Sequence, residues 1–340
     1  MDSDSPIRVG VLGCASIAHK NVRAIGLADG ISLVAVASRS AEKATHFLRE
    51  CGLPEDSGVR AVGYDELVHD SEVDALYVPL PSGLHAQWVV KAAAAGKHIL
   101  LEKPLCLHMK ELDDMWAAVE KAGVAVLDGT MFMHHPRLEK LREEMDKLGG
   151  PLEVNASFSF QATELADGTG GEWMDSDVRG QKDMDGLGSL GDLGWYTTKL
   201  ALWTFGFELP SGVMAQPGAL HNAAGVMKRG GGTLMWSDGR LARMDYSFVN
   251  PFIQDATISC KTGTIRMSDF TLPRDELNCE FTVERSPTLS VPDNGPTVVS
   301  GEIATLYGLA DKPQEARMME TFAQLCADPR GEEAGKWRRE

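Results

Sequence analysis

The sequence predicts an α/β protein in two parts: a doubly wound parallel sheet over residues 1–130, then an α+β domain with an open, mostly antiparallel sheet over residues 131–340. Three observations predict this. Short apolar, β-branched runs alternate with helical stretches of roughly 10–15 residues along the first part, the rhythm of βαβ units. The first of these runs ends in a turn of small residues that opens a helix. Beyond Gly149-Gly150-Pro151 the rhythm gives way to alternating runs separated by Gly-containing turns, as in antiparallel hairpins.

Ile7 to Leu12, with Val9 and Val11, reads as a buried strand, and Ser16 to Ala28 as the helix that follows. Ile31 to Ala37 is the second strand and Ala41 to Glu50 the second helix. Asp74 to Val78 is a strand that runs into Pro79-Leu80-Pro81-Ser82-Gly83. Leu84 to Ala95 is an Ala-rich helix stopped by Gly96; His98 to Leu101 is a strand ended by Pro104. Met109 to Lys121 is a helix stopped by Gly123, and Val124 to Leu127 the last strand. Continuous apolar strands fit a sheet covered on both faces, and such sheets take ligands at the C-terminal ends of their strands. In the second part, Leu152 to Phe160 alternates as a strand and Gly191 to Trp203 reads as a helix. Thr233–Trp236, Leu241–Phe248, Ala256–Cys260 and Thr264–Met267 are strand-like. Residues 285–312, rich in Pro, Ser and Thr, read as a long loop. Gln314 to Cys326 reads as a helix that can pack back on the first domain.

The formal net charge is −16, which opposes a nucleic-acid or anionic-membrane partner, since both demand a basic surface. A local basic pocket for one anionic cofactor is compatible with it. The six cysteines form no C-x-x-C pair and the closest two lie 19 residues apart, so neither a zinc site nor a disulfide framework is expected. Free thiols fit a reducing compartment. No apolar run approaches ~18 residues, and the acidic start Met1-Asp2-Ser3-Asp4-Ser5-Pro6 is unlike a signal or transit peptide. The expected location is cytoplasmic.

Gly13-Cys14-Ala15-Ser16-Ile17-Ala18 follows the first strand with the frame G-x-A-x-x-A, a relaxed form of the dinucleotide-binding G-x-G-x-x-G. Gly13 permits the tight turn. Ala15 and Ala18 let the backbone approach a pyrophosphate and the helix approach the sheet. Ser16 and Ile17 open a helix whose N–H groups favour an anion. The second strand ends in Ala37-Ser38-Arg39-Ser40, where a site for NAD usually carries Asp or Glu to bind the ribose 2′-OH. Arg39, 26 residues after Gly13, can pair with a 2′-phosphate, and Ser38 and Ser40 can donate to it, which predicts NADP(H) over NAD(H).

The fifth strand leads into Leu101-Glu102-Lys103-Pro104. Asp128-Gly129-Thr130-Met131-Phe132-Met133-His134-His135-Pro136 and Asp185-Gly186-Leu187-Gly188-Ser189-Leu190-Gly191-Asp192-Leu193-Gly194-Trp195-Tyr196 follow in order. Together with the glycine turn, these segments resemble the glucose–fructose oxidoreductase/inositol dehydrogenase (Gfo/Idh/MocA) family. Glu-Lys-Pro is that family's hallmark tripeptide, and the last segment is similar to its G-G-G-x-L-x-D-x-G-x-(H/Y) pattern. The similarity spans residues 7–325 and is greatest to the dihydrodiol dehydrogenase/D-xylose dehydrogenase branch and its plant-type members. It implies a Rossmann domain followed by a substrate-binding and dimerisation domain. The implied activity is hydride transfer between NADP(H) and a carbinol or carbonyl carbon of a sugar, polyol or vicinal diol. The implied assembly is a homodimer.

The resemblance implies Lys103 and Tyr196 as the acid/base pair, with Asp192 orienting substrate or Lys103. A lysine at a strand end can donate to a substrate oxygen and lower a neighbour's pKa. Asp192 and Tyr196 are four apart and on one α-helix would share a face. Arg179 stands where the family often has a substrate-side Arg. Pro79, Pro81, Ser82 and His85 are implied to line the nicotinamide ribose, with Glu102 and Lys103 beside them. Trp173 and Trp195 can stack on a sugar face. No metal is expected; His134-His135 are adjacent and would not share a face. Relatives usually continue past the helix ending near residue 326 through a further long helix, whereas this chain ends in Lys336-Trp337-Arg338-Arg339-Glu340. Two other functions share parts of this pattern: a non-catalytic NADP-binding regulatory protein, and an enzyme that cleaves a glycosidic bond through transient oxidation.

Overall fold

A computed structural model describes residues 5–54, 56–162, 173–291 and 298–337. The chain divides into two compact units, residues 1–134 with 183–186 and 312–340, and residues 135–182 with 187–311. A boundary at 130/131 would leave all of 131–340 in the second part. Instead the segment 183–186 and the C-terminal helix Gln314–Ala327 group with the first unit. Lys20 of the first helix pairs with the buried Glu315 at 2.8 Å.

The first unit is built on six parallel strands: β1 (Ile7–Leu12), β2 (Ile31–Ser38), β3 (Arg60–Gly63), β4 (Ala75–Val78), β5 (His98–Leu101) and β6 (Val126–Asp128), in the order β3-β2-β1-β4-β5-β6. The helices α1 (Ser16–Leu27), α2 (Ala41–Glu50), α3 (Tyr64–His69), α4 (His85–Ala94) and α5 (Met109–Ala122) connect them. The strands carry continuous apolar runs because both faces are covered. Leu12, Leu76, Ile99 and Leu100 have no exposed surface. β3 and α3 escape the sequence reading: four residues of strand and six of helix are too short to show a period. The order places the topological switch between β1 and β4, where doubly wound sheets bind ligands at the strand C-termini.

The second unit carries one large sheet: β7 (Pro151–Ser159), β8 (Gly212–Ala215), β9 (Leu220–His221), β10 (Met227–Met235), β11 (Leu241–Ser247), β12 (Ile253–Cys260), β13 (Gly263–Met267), β14 (Asn278–Ser290) and β15 (Val298–Leu309). Its order is β15-β14-β13-β12-β7-β11-β10-β8, with β9 on β10. Every pair is antiparallel except β7 with β11. Val154, Ala156 and Phe158 of β7 are buried on the face that the helix Trp195–Thr204 covers, while Glu153, Asn155 and Ser157 point the other way.

Two expectations are corrected here. Residues 285–312 are not one long loop, because β14 and β15 pair through most of the stretch. The register shift between Arg285 and Thr288, with Ser286 at φ 48°, is a bulge. The helix expected over 191–203 begins as a π-helical turn, Leu190–Gly194, and becomes α-helical only from Trp195.

Candidate active site

Gly13 ends β1 at φ +130°, a region that L side chains rarely adopt, and a Cβ there would lie 2.9 Å from Leu80 and 3.5 Å from the Pro79 carbonyl. The turns after β1 and β4 therefore touch, and only glycine lets them. The Gly13 N–H donates to the Ala37 carbonyl at 3.0 Å, tying the β2 end to the same place. The α1 N-cap, Ala15, offers no side-chain hydrogen bond, so the first-turn N–H groups of Ser16 and Ile17 remain for a ligand or solvent. At the tip of β2, Ser38 is buried and Arg39 exposed, and the tip Ala37-Ser38-Arg39-Ser40 carries no Asp or Glu. The Ser40 hydroxyl accepts from the Lys43 N–H at 3.3 Å as the N-cap of α2, so this serine has a local structural task.

Tyr64, unnoticed in the sequence, completes this corner. It opens α3 and stands edge-on to Trp88 at 5.2 Å. Burial raises its phenol pKa, and raises that of the Cys14 thiol, which Ser38 partly offsets. The only signal for Tyr64 was a lone aromatic after a short apolar run.

The turn after β4 is held from within. Pro79 is buried, and Pro81 precedes the 3-10 turn Ser82–Leu84. Ser82 donates to Asp185 Oδ1 twice, from its N–H at 2.8 Å and its hydroxyl at 2.7 Å. Asp185 was quoted only as part of a motif, and its partner lies 103 residues away. The expectation that His85 lines the ribose is corrected. Its ring has no exposed surface, Nε2 lies 2.8 Å from the Leu80 carbonyl and Nδ1 3.1 Å from that of Leu105. Burial pulls its pKa down, against the two carbonyls and Asp185. His85 braces the turn from beneath.

At the end of β5, Glu102 turns inward and Lys103 is half-buried, with a cis peptide bond to Pro104. Burial pushes the Glu102 carboxyl up from the usual carboxylate range. The Tyr77 hydroxyl and the Lys103 ammonium oppose that shift.

The other candidates belong to the second unit. Arg179 Nε donates to Asp192 Oδ2 at 3.0 Å and Nη1 to Asp177 Oδ1 at 3.3 Å, so Arg179 and Asp192 form one charged cluster. Tyr196 is buried with its ring 5.7 Å from Phe158. Asp192 and Tyr196 do not share an α-helical face as the four-residue spacing predicts, because Asp192 sits in the π turn. Trp173 packs at 5.6 Å edge-on to Phe248, and Trp195 is half-buried at the start of its helix. His135 faces Cys279, Nε2 to Sγ 2.9 Å, and its Nδ1 accepts from the Arg137 N–H at 3.0 Å. Among the described residues no three His, Cys, Asp or Glu side chains gather as a metal site, and no helix is long and apolar enough to cross a membrane. The sequence makes the segment 161–185 a determinant of pocket shape, and part of it (163–172) lies outside the described residues.

Comparison with known proteins follows the same division. Residues 7–130 match the GFO_IDH_MocA description "Oxidoreductase family, NAD-binding Rossmann fold", and residues 139–266 match "GFO/IDH/MocA C-terminal domain". The chain belongs to the Gfo/Idh/MocA oxidoreductase family. The resemblance drawn from Glu102-Lys103-Pro104 and the glycine turn therefore holds, and with it the α/β fold class and the enzyme class. D-xylose 1-dehydrogenase (NADP(+)) 2 of Haloferax volcanii is 34% identical over 257 residues, 75% of this chain and 74% of that protein. A dTDP-3,4-didehydro-2,6-dideoxy-alpha-D-glucose 3-reductase of Actinomadura kijaniata is 35% identical over 208 residues, 60% of this chain and 58% of that one. The crystal structure of a 3-ketoreductase from Actinomadura kijaniata with NADP and TDP-benzene superposes with a TM-score of 0.79 at 27% identity, covering 98% of this chain and 95% of that one. This Gfo/Idh/MocA member thus has relatives named for sugar dehydrogenation and for sugar ketone reduction.

Proposed function

We propose that this protein is an NADP-dependent oxidoreductase that moves a hydride between the nicotinamide and a carbinol or carbonyl carbon of a sugar, polyol or vicinal diol. One observation carries the reading. Lys103 stands half-buried at the C-terminal end of β5, on the same edge of the parallel sheet as the Gly13 turn and the Ser38-Arg39 tip. The residues fit the cofactor. Gly13 permits the tight turn against Leu80 and Pro79, α1 presents N–H groups with no side-chain cap, and Arg39 stands where a carboxylate would repel a 2′-phosphate. The NADP-named xylose dehydrogenase and the NADP-bound 3-ketoreductase support the same choice.

When bound, the nicotinamide supplies or accepts the hydride. The chain's own residues manage the proton and the developing charge. Lys103 donates from Nζ to the substrate oxygen and stabilises negative charge on it. Tyr196 gives or takes the proton at its phenol oxygen, and Arg179 with Asp192 orients the sugar hydroxyls. The solved 3-ketoreductase has also been crystallised with one lysine and one tyrosine substituted, which matches these two residue types.

Lys103→Met and Tyr196→Phe should each lower NADP-linked turnover of an aldose such as D-xylose by roughly 10²–10⁴-fold while NADPH binding persists. Unchanged turnover in both variants would overturn the acid–base assignment. The reading also includes a homodimer formed through the open face of the large sheet. Six free cysteines support a reducing, cytoplasmic setting.

A further inference from the structure

We propose that Asn21, Tyr77 and Glu102 form a buried hydrogen-bonded chain that positions Lys103, making Tyr77 a positioning residue for the reaction; this rests on the function proposed above. Three elements of the first unit converge here. α1 brings Asn21, β4 brings Tyr77 and the end of β5 brings Glu102, which are 1%, 0% and 7% exposed. Asn21 Nδ2 donates to the Tyr77 hydroxyl oxygen at 2.5 Å, and that hydroxyl donates to Glu102 Oε1 at 2.6 Å. Glu102 Oε2 accepts from the Lys103 main-chain N–H at 3.3 Å, and Asn21 Nδ2 also reaches Oε1 at 3.4 Å.

The surroundings are apolar: the register partners of Tyr77, Val11 on β1 and Leu100 on β5, have no exposed surface. A phenylalanine at 77 would suit that core without any of these bonds. What the hydroxyl adds is a fixed carboxyl, and what the carboxyl holds is the backbone from which the Lys103 side chain departs. The chain beyond β6 closes the remaining side. A Cβ on Gly129 would lie 3.1 Å from both Cδ and Oε2 of Glu102, so the carboxyl has no room to swing away.

The titratable groups facing Glu102 are Tyr77 from β4, Lys103 beside it and Asp128 from β6, while α1 contributes the uncharged Asn21. Burial and Asp128 favour the neutral carboxyl; Tyr77 and Lys103 favour the carboxylate. Removing the Tyr77 hydroxyl therefore moves Glu102 further towards the neutral acid and loosens its hold on the Lys103 N–H.

The test compares wild type, Tyr77→Phe and Glu102→Gln, using steady-state kinetics with NADP and D-xylose, NADPH titration, and the ¹³C carboxyl resonance of Glu102 followed against pH. In Tyr77→Phe, kcat should fall about tenfold, NADPH affinity should stay within about twofold, and the Glu102 resonance should titrate at higher pH. Glu102→Gln, which keeps an acceptor for Tyr77 but turns an amide N–H towards the Lys103 N–H, should lose a similar factor in kcat. Wild-type kcat in folded Tyr77→Phe overturns the proposal, as does a loss confined to NADPH affinity. If Tyr77→Phe does not fold, wild-type kcat in Glu102→Gln overturns it. Should wild type transfer no hydride, the proposed function falls, and the resonance alone decides the chain: a shift supports it and an unmoved titration refutes it.

Discussion

Arg39 shows how much one position can settle. It lies exposed at the tip of β2 with buried Ser38 behind it, and the chain offers no Asp or Glu at that tip. A charge-assisted hydrogen bond contributes about 1.5–3 kcal/mol, so Arg39→Ala should weaken NADPH binding by more than about tenfold and leave NADH binding within about twofold. Fluorescence titration with both nucleotides reads this directly, and an equal loss for the two would refute the 2′-phosphate role. Arg39 was legible because its meaning depends on a count from Gly13 and on residue type. His85 was not, because nothing local distinguishes a histidine that faces a ligand from one that faces the carbonyls of Leu80 and Leu105. Tyr77 was read only as one more residue of an apolar strand, and its bond to Glu102 spans 25 residues.

Among the elements, the β14–β15 hairpin departs most from the sequence reading. Its outer strand is exposed on one face, with Ile303, Tyr307 and Leu309 opposite Glu284, Glu280 and Asn278, so the composition of 285–312 looks like loop while the backbone is paired. A buried ion pair anchors it. Arg137, with no exposed surface, donates Nη1 to Asp269 Oδ1 at 2.9 Å and Nη2 to the Asp269 carbonyl at 2.9 Å and the Phe270 carbonyl. Gly308 of β15 packs directly on Arg137, where a Cβ would come within 2.3 Å of its Cβ. Removing one partner of a buried pair leaves an uncompensated charge, which costs about 3–5 kcal/mol. Asp269→Ala should therefore lower the free energy of unfolding by that amount, read as a lower urea midpoint at unchanged m-value. A change under about 1 kcal/mol would mean that the two carbonyls suffice.

At the scale of the whole molecule, the open sheet face offers apolar ends and a polar middle. Ile303, Tyr307 and Leu309 lie exposed along β15, Met214 along β8, and Arg243 with Glu153 forms an ion pair between them. Such a face suits a two-fold partner of the same chain, apolar at its anchors and charged at its centre. Sedimentation at micromolar concentration should give twice the monomer mass, and Ile303→Lys should shift the protein towards monomer. A monomer for wild type would refute the dimer.

The parallel sheet, its turns and the family were determined by the sequence itself. They rest on local rules: β-branched runs, helix stops at Gly96 and Gly123, the glycine that β1 requires, and short motifs at fixed spacing. Only the tertiary structure decided where the polar side chains go. It sends Glu102 and His85 inward, brings Asp185 onto Ser82, pairs Arg179 with Asp192, and seats β7 between β11 and β12. Those outcomes depend on which distant segment satisfies a buried donor or acceptor, and a single chain read in order does not contain that pairing.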